Sequence, residues 1–203
     1  MEAKLENPIV SVESEQKDDK HSENINYLEF NPNTLSNFKL VGYDIEKAYK
    51  LGSKIIVTGY DKKKNPDANE DWGDQLLLLN TKNEILFKSK GVGDVYLFEP
   101  HFYKNETNDK IIIVCQLAYE YFFGGEAFLY ENGQVEYIGN IDIEGKYEQT
   151  NLIDILQLNE RNNEIFFTFN SDSITYKPSN DAVILKNTTI RYEYKNKILK
   201  LIM

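Results

Sequence analysis

The chain has 203 residues, 41% of them apolar, which suits one large domain or two small ones with a packed core. Its 33 acidic and 23 basic residues leave a formal charge of -10, and like-charge repulsion at range disfavours a polyanion as the main partner, so no nucleic acid is expected. The longest uninterrupted aliphatic runs, Ile111–Val114 and Leu76–Leu79, hold four residues, far short of the roughly 18 to 20 that a membrane-spanning helix needs, so a soluble chain is expected.

Residues 1–26 carry seven acids and three bases among Ser, Gln, Asn and Lys. They bury too little apolar surface to offset their ordering entropy, which predicts a disordered acidic tail or tether. Met1-Glu2-Ala3-Lys4-Leu5-Glu6 has neither the basic start nor the apolar stretch of a secretory signal. The chain is expected to be cytoplasmic if Met1 is the native start, and exported or lipid-tethered if a signal has been removed.

Residues 27–203 are predicted to form a single all-β domain. Tyr27-Leu28-Glu29-Phe30 opens it, and Asn31-Pro32-Asn33-Thr34-Leu35 follows as a turn or one helical turn. From Phe38 onward, short runs of Ile, Val, Tyr, Phe and Leu are separated by Gly, Asn and Asp, and no helical period exceeds two turns. Only Asn151–Leu158 suits either a helix or a strand. Two tight hairpins have a mechanism: Asn132-Gly133 tolerates the positive φ values of a type I′ turn, and Gly52-Ser53 suits type II′. They set Phe128–Tyr130 against Gln134–Ile138, and Ala48–Leu51 against Lys54–Val57.

A spacing recurs along the domain that reads either as an internal repeat or as the even turn spacing of any β-rich chain. Lys54-Ile55-Ile56-Val57, Lys110-Ile111-Ile112-Ile113 and Asn163-Glu164-Ile165-Phe166-Phe167 each open a unit, at spacings of 56 and 53 residues. A polar loop and then further apolar runs follow in each, giving units at 54–109, 110–162 and 163–203. Four short strands in about 53 residues is the size of a propeller blade or an antiparallel meander. Three such units are too few to close a propeller, so the expected architecture is an antiparallel meander of about 12 short strands, partly open and propeller-like or in two β layers.

If the units superpose, the first loop of each lies on one side of the domain. These loops, Asp61–Gly73, Ala118–Gly125 and Ser171–Asn180, mix aromatic rings with acids. Asp71, Trp72 and Asp74 in the first, Tyr121, Phe122, Phe123 and Glu126 in the second, and Tyr176 in the third are the candidate partner-binding residues. Aromatic rings on polar loops offer large, stiff contact surfaces at little entropic cost. The alternative is that the same rings fold back to cover the end of the sheet. The spacing Asp67-x-Asn69-x-Asp71 sets oxygen ligands at alternate positions like the first half of a calcium loop. It departs from the EF-hand pattern because Gly73 comes one place late and Leu78 stands where the bidentate Glu belongs.

Signals for an enzyme are weak. The sequence has no Gly-x-Ser-x-Gly elbow, no His-Glu-x-x-His pair and no phosphate-binding Gly-rich loop. His21 falls in the tail, which leaves His101 as the histidine available for acid-base work, with Glu99 on the same face of an extended stretch. The lone Cys115, within Ile111-Ile112-Ile113-Val114-Cys115, reads as an inert buried thiol. The function expected is therefore non-catalytic. An acidic, aromatic loop surface would bind a basic protein partner, as an inhibitor or immunity-type protein does. The alternative is a glycan-binding β module, calcium-assisted if the Asp67, Asn69 and Asp71 loop holds an ion. A hydrolase working through two loop carboxylates comes third.

Overall fold

The computed structural model describes residues 23–64, 71–120, 122–145, 150–176, 183–185 and 190–203. Residues 1–22 of the expected tail lie outside these. The chain is already paired at Ile25 and Asn26, which lie opposite Glu160 and Asn159, so regular structure starts two residues earlier than the apolar pattern indicated.

In chain order the elements are β1 (Ile25–Phe30), β2 (Asn33–Thr34), β3 (Tyr43–Leu51), β4 (Lys54–Asp61), β5 (Asp74–Leu79) and β6 (Ile85–Lys88). Next come β7 (Leu97–Asn105), β8 (Ile111–Ala118), β9 (Phe122–Glu131), β10 (Gln134–Ile141) and β11 (Ile143–Gly145). A single helical turn, α1 (Leu152–Ile155), leads into β12 (Leu156–Arg161), so the ambiguous stretch is helix first and strand second. The chain ends with β13 (Glu164–Phe169), β14 (Ile174–Tyr176), β15 (Val183–Leu185), β16 (Arg191–Lys195) and β17 (Ile198–Ile202). The fold is nearly all-β and antiparallel, as expected. Among the described residues no helix is long and apolar enough to cross a membrane.

Three antiparallel meanders of four strands organise the chain: β3-β4-β5-β6, β7-β8-β9-β10 and β12-β13-β16-β17. The runs that open the sequence repeat at Lys54, Lys110 and Asn163 are the second strand of each meander or lead into it. The first meander, with β2 at its edge, is a five-stranded sheet. The other two are joined through β1 into a nine-stranded sheet, β10-β9-β8-β7-β1-β12-β13-β16-β17. Its two edges meet where Tyr194 donates to Glu136 at 2.5 Å, Lys197 donates to Glu136 at 2.7 Å, and Leu199 lies over Gly139. This sheet is nearly closed into a barrel, which removes most of its exposed edge. A three-stranded sheet, β11-β14-β15, completes the fold.

Burial follows from these layers. Ile112, Val114, Ala127, Ile141, Ile143, Leu158 and Phe167 point into the barrel. Leu76, Leu78, Phe98, Phe102, Ile113 and Phe128 fill the space between the barrel wall and the five-stranded sheet. Val57, Leu77 and Leu79 face the other way, beneath Leu35, Phe38 and Leu40. Strand β8 is therefore buried at all eight positions and β5 at five of six, which is why both read as unbroken apolar runs where a half-solvated strand would alternate. Cys115 sits in the inter-sheet layer, where burial pushes its thiol well above the ordinary range.

Both predicted hairpins form with the expected registers: Val135 opposite Tyr130, and Lys50 opposite Ile55. Asn132 and Gly133 have φ of 52° and 74°, and Gly52 has φ of 57°. Two further tight turns, Asn162-Asn163 (54° and 60°) and Asn196-Lys197 (51° and 65°), enter the left-handed region with asparagine, which tolerates it, at three of the four positions. All these turns lie at one end of the molecule. The β4–β5, β6–β7, β8–β9 and β13–β16 connections leave the opposite end.

Candidate functional site

At that opposite end the connection into β5 is seated on the connection out of β6. Asp74 and Val92 exchange main-chain hydrogen bonds of 3.0 and 2.9 Å, and the Gly91 N–H donates to Asp71 Oδ1 at 2.5 Å. The approach requires glycine on both sides. A Cβ on Gly91 would stand 2.1 Å from the Trp72 carbonyl oxygen, and one on Gly93 would stand 2.6 Å from Trp72 Cζ2. Gly73, at φ of 100°, turns the chain so that a Cβ there would meet the Val92 carbonyl oxygen at 2.2 Å. The Trp72 ring is thus held half-buried against Gly93, flanked by the exposed Asp71 and the half-buried Asp74.

Gly91→Ala is expected to unseat this segment and cost about 1 to 3 kcal/mol, the usual range for overpacking. Trp72 is the only tryptophan, so a red shift of the intrinsic emission should accompany the loss of stability. A variant with wild-type emission and unfolding midpoint would show that the seat is absent.

Glu126 joins this end from β9, where it lies opposite Cys115 and Asn140. The residue is 9% exposed. Burial above all, and then the charge of Asp71, push its carboxyl up to about 7 against the opposing effects of the Tyr137 hydroxyl and Lys90. Asp71 of the first loop and Glu126, just past the second, therefore lie near enough for the charge of one to raise the carboxyl of the other.

Further acids stand beside them. Burial raises the Asp74 carboxyl, and its Oδ1 is buried without a hydrogen-bond partner among the described residues. Glu46 is raised by burial and then by the charge of Asp74. Asp44 accepts a 3.2 Å hydrogen bond from Tyr60, whose hydroxyl is pushed up by that bond and by the surrounding carboxylates. Asp44 and Glu46 went unnoticed in the sequence because they lie in β3, not in a loop; the bulge between Ile45 and Lys47 turns that end of the strand. The signal for the seat itself was present as Gly91-Val92-Gly93.

The remaining expected residues fall elsewhere. Phe123 is 8% exposed and lies inside β9, so its ring does not project from a loop. Phe122 starts β9 opposite Ala118, and Tyr121 lies outside the described residues. Tyr176 belongs to β14, opposite Ile143, and packs against the barrel interior. Asp67 and Asn69 of the expected calcium loop also lie outside the described residues; among those described, no three acidic, histidine or cysteine side chains are grouped to hold a metal. Glu99 and His101 are not partners. Glu99 pairs with Lys47, and His101 Nδ1 lies 3.1 Å from Glu29 Oε1.

Fold and site together define a barrel-and-sheet β protein with an acidic end built around one tryptophan. Comparison with protein-family models, curated proteins and solved structures finds no match to this chain.

Proposed function

We propose that the chain is a non-catalytic binding protein whose loop end receives a basic protein partner. The observation that carries this reading is the gathering of Asp44, Glu46, Asp71, Asp74 and Glu126 at one end, with burial or mutual repulsion raising three of the five. Such an arrangement is electrostatically unfavourable in the free protein. A cationic side chain brought against it relieves the repulsion, and the negative field of a chain at -10 speeds the encounter. Trp72 supplies a stiff ring, pre-positioned by Gly93, for the desolvated part of the contact. Inhibition of a basic secreted enzyme, or immunity to a basic toxin, is the concrete form of this role.

The test is capture from the lysate and secreted fraction of the source organism at low and moderate salt. Wild type is compared with an Asp71→Asn, Trp72→Ala, Asp74→Asn variant and with a Lys50→Gln, Lys54→Gln control altered at the far end. A basic protein should be recovered in stoichiometric amount by wild type and control, with affinity falling about tenfold or more in the loop variant and declining with salt. Equal recovery by the loop variant would refute the assignment of the surface. A stabilisation seen only with calcium or a glycan would favour the alternative module.

A further inference from the structure

One group of side chains at the acidic end reaches from solvent into the space between the sheets. The register of the five-stranded sheet sets Asp44, Tyr60 and Asp74 side by side across β3, β4 and β5. Thr58 stands one rung further in on the same face, because side chains two apart along a strand point the same way. Its neighbour across the ladder is Leu76, which belongs to the inter-sheet core. Thr58 is 0% exposed, and its Oγ1 has no hydrogen-bond partner among the described residues; the buried Oδ1 of Asp74 has none either. At the solvent side are the exposed Asp44 and the Tyr60 ring, 43% exposed, joined by the bond from the Tyr60 hydroxyl to Asp44. Lys47, the cation opposite Thr58, is engaged by Glu99.

We propose that this group is a socket for an arginine side chain of the protein partner, with the guanidinium over the Tyr60 ring, donating to Asp44 and Asp74, and with Thr58 at its inner end. This rests on the reading of the loop end as the receiver of a basic partner and specifies which basic residue that partner presents. Three features select arginine over lysine. The acceptors are spread over two rungs and over strands that lie about 4.8 Å apart, a span that suits a planar fork of five N–H donors better than the point charge of an ammonium. The inner part of the socket is buried, and a guanidinium is the more weakly hydrated of the two cations. A flat cation also stacks on an aromatic face, which Tyr60 presents at the entrance. A metal ion fits less well, since among the described residues no three acidic, histidine or cysteine side chains are grouped to hold one.

Titration of the full chain with tetra-arginine, tetra-lysine and the uncharged tetra-citrulline, followed by amide ¹H–¹⁵N shifts, tests this. Tetra-arginine should bind at least fivefold more tightly than tetra-lysine, tetra-citrulline should not bind, and the shifts should centre on Asp44, Tyr60 and Asp74. Asp74→Asn should weaken tetra-arginine at least fivefold, and Lys50→Gln, Lys54→Gln at the far end should not weaken it. Thr58→Val keeps the shape and removes a hydroxyl without a partner, so it should weaken tetra-arginine about threefold while leaving the unfolding midpoint no lower than that of wild type. Equal affinity for tetra-arginine and tetra-lysine, no binding of tetra-arginine, shifts centred elsewhere, or unchanged affinity in Asp74→Asn and Thr58→Val would each overturn the socket. The basic-partner reading is judged separately by the capture comparison: a partner lost with the loop variant, beside equal affinities for the two cationic peptides, would keep that reading and remove arginine from it.

Discussion

Glu160→Ala is expected to lower folding stability by about 3 to 5 kcal/mol, the cost of breaking a buried charge network by removing one partner. The Glu160 side chain is 5% exposed and accepts three hydrogen bonds: 2.7 Å from the Tyr27 hydroxyl, 3.0 Å from Asn105 Nδ2 and 2.6 Å from Lys110 Nζ. These donors come from β1, from the end of β7 and from the turn into β8, so one carboxylate ties together the strands at which the second and third meanders join. Alanine leaves the Tyr27 hydroxyl and the Asn105 amide buried without their acceptor and the Lys110 ammonium without its counter-charge. Glu160→Gln keeps the shape and one acceptor, and is expected to cost less than alanine. Urea unfolding of the three proteins at neutral pH measures both differences. An alanine variant within 1 kcal/mol of wild type would contradict the joining role.

Glu126→Gln is expected to act in the opposite direction, stabilising the protein by roughly 3 kcal/mol at pH 8, since one pKa unit is worth about 1.4 kcal/mol. The folded Glu126 carboxyl titrates at about 7, against 4.5 for the ordinary group. Between those values the folded state binds the proton more tightly than the unfolded state, so wild-type stability falls as pH rises from about 4.5 to about 7. Glutamine cannot ionise and has nearly the same shape. The two proteins should therefore be equally stable below pH 4.5 and diverge up to pH 7, with the full difference present above it. Thermal or urea unfolding across that range checks the sign as well as the size. A glutamine variant that is less stable at pH 8 would mean that ionised Glu126 is well paired in the folded state, and the argument for a waiting cation surface would fail with it.

Much of the fold was legible because it rests on local chemistry. Asn132-Gly133 and Gly52-Ser53 fixed two hairpins through their tolerance of positive φ, and the apolar runs at Leu76–Leu79 and Ile111–Val114 marked strands. What stayed hidden depends on distant pairing. Nothing near Tyr27 says that β1 lies between β7 and β12, and Glu160 is one of 33 acids until Tyr27, Asn105 and Lys110 converge on it. Asn162-Asn163 and Asn196-Lys197 turn without glycine and so gave a fainter signal.

The candidate site was legible by half. Asp71, Trp72, Asp74 and Glu126 were marked by the mixture of acids with aromatic rings in equivalent loops. Phe123 was misplaced because Gly124-Gly125 reads as a loop. A Cβ on Gly124 would stand 2.5 Å from the Ile141 carbonyl oxygen and one on Gly125 2.8 Å from that of Cys115, so these glycines serve close strand approach.

A pH titration of side-chain carboxyl ¹³C shifts, in wild type and in Asp71→Asn, tests the acidic end most directly because it needs no partner. Glu126 should titrate near 7 and Asp74 and Glu46 above the ordinary carboxylate range, with the Glu126 midpoint falling when Asp71 loses its charge. Midpoints in the ordinary range, with no response of Glu126 to Asp71→Asn, would show that these acids are solvated and independent, and that this end of the molecule is not a surface waiting for a cation.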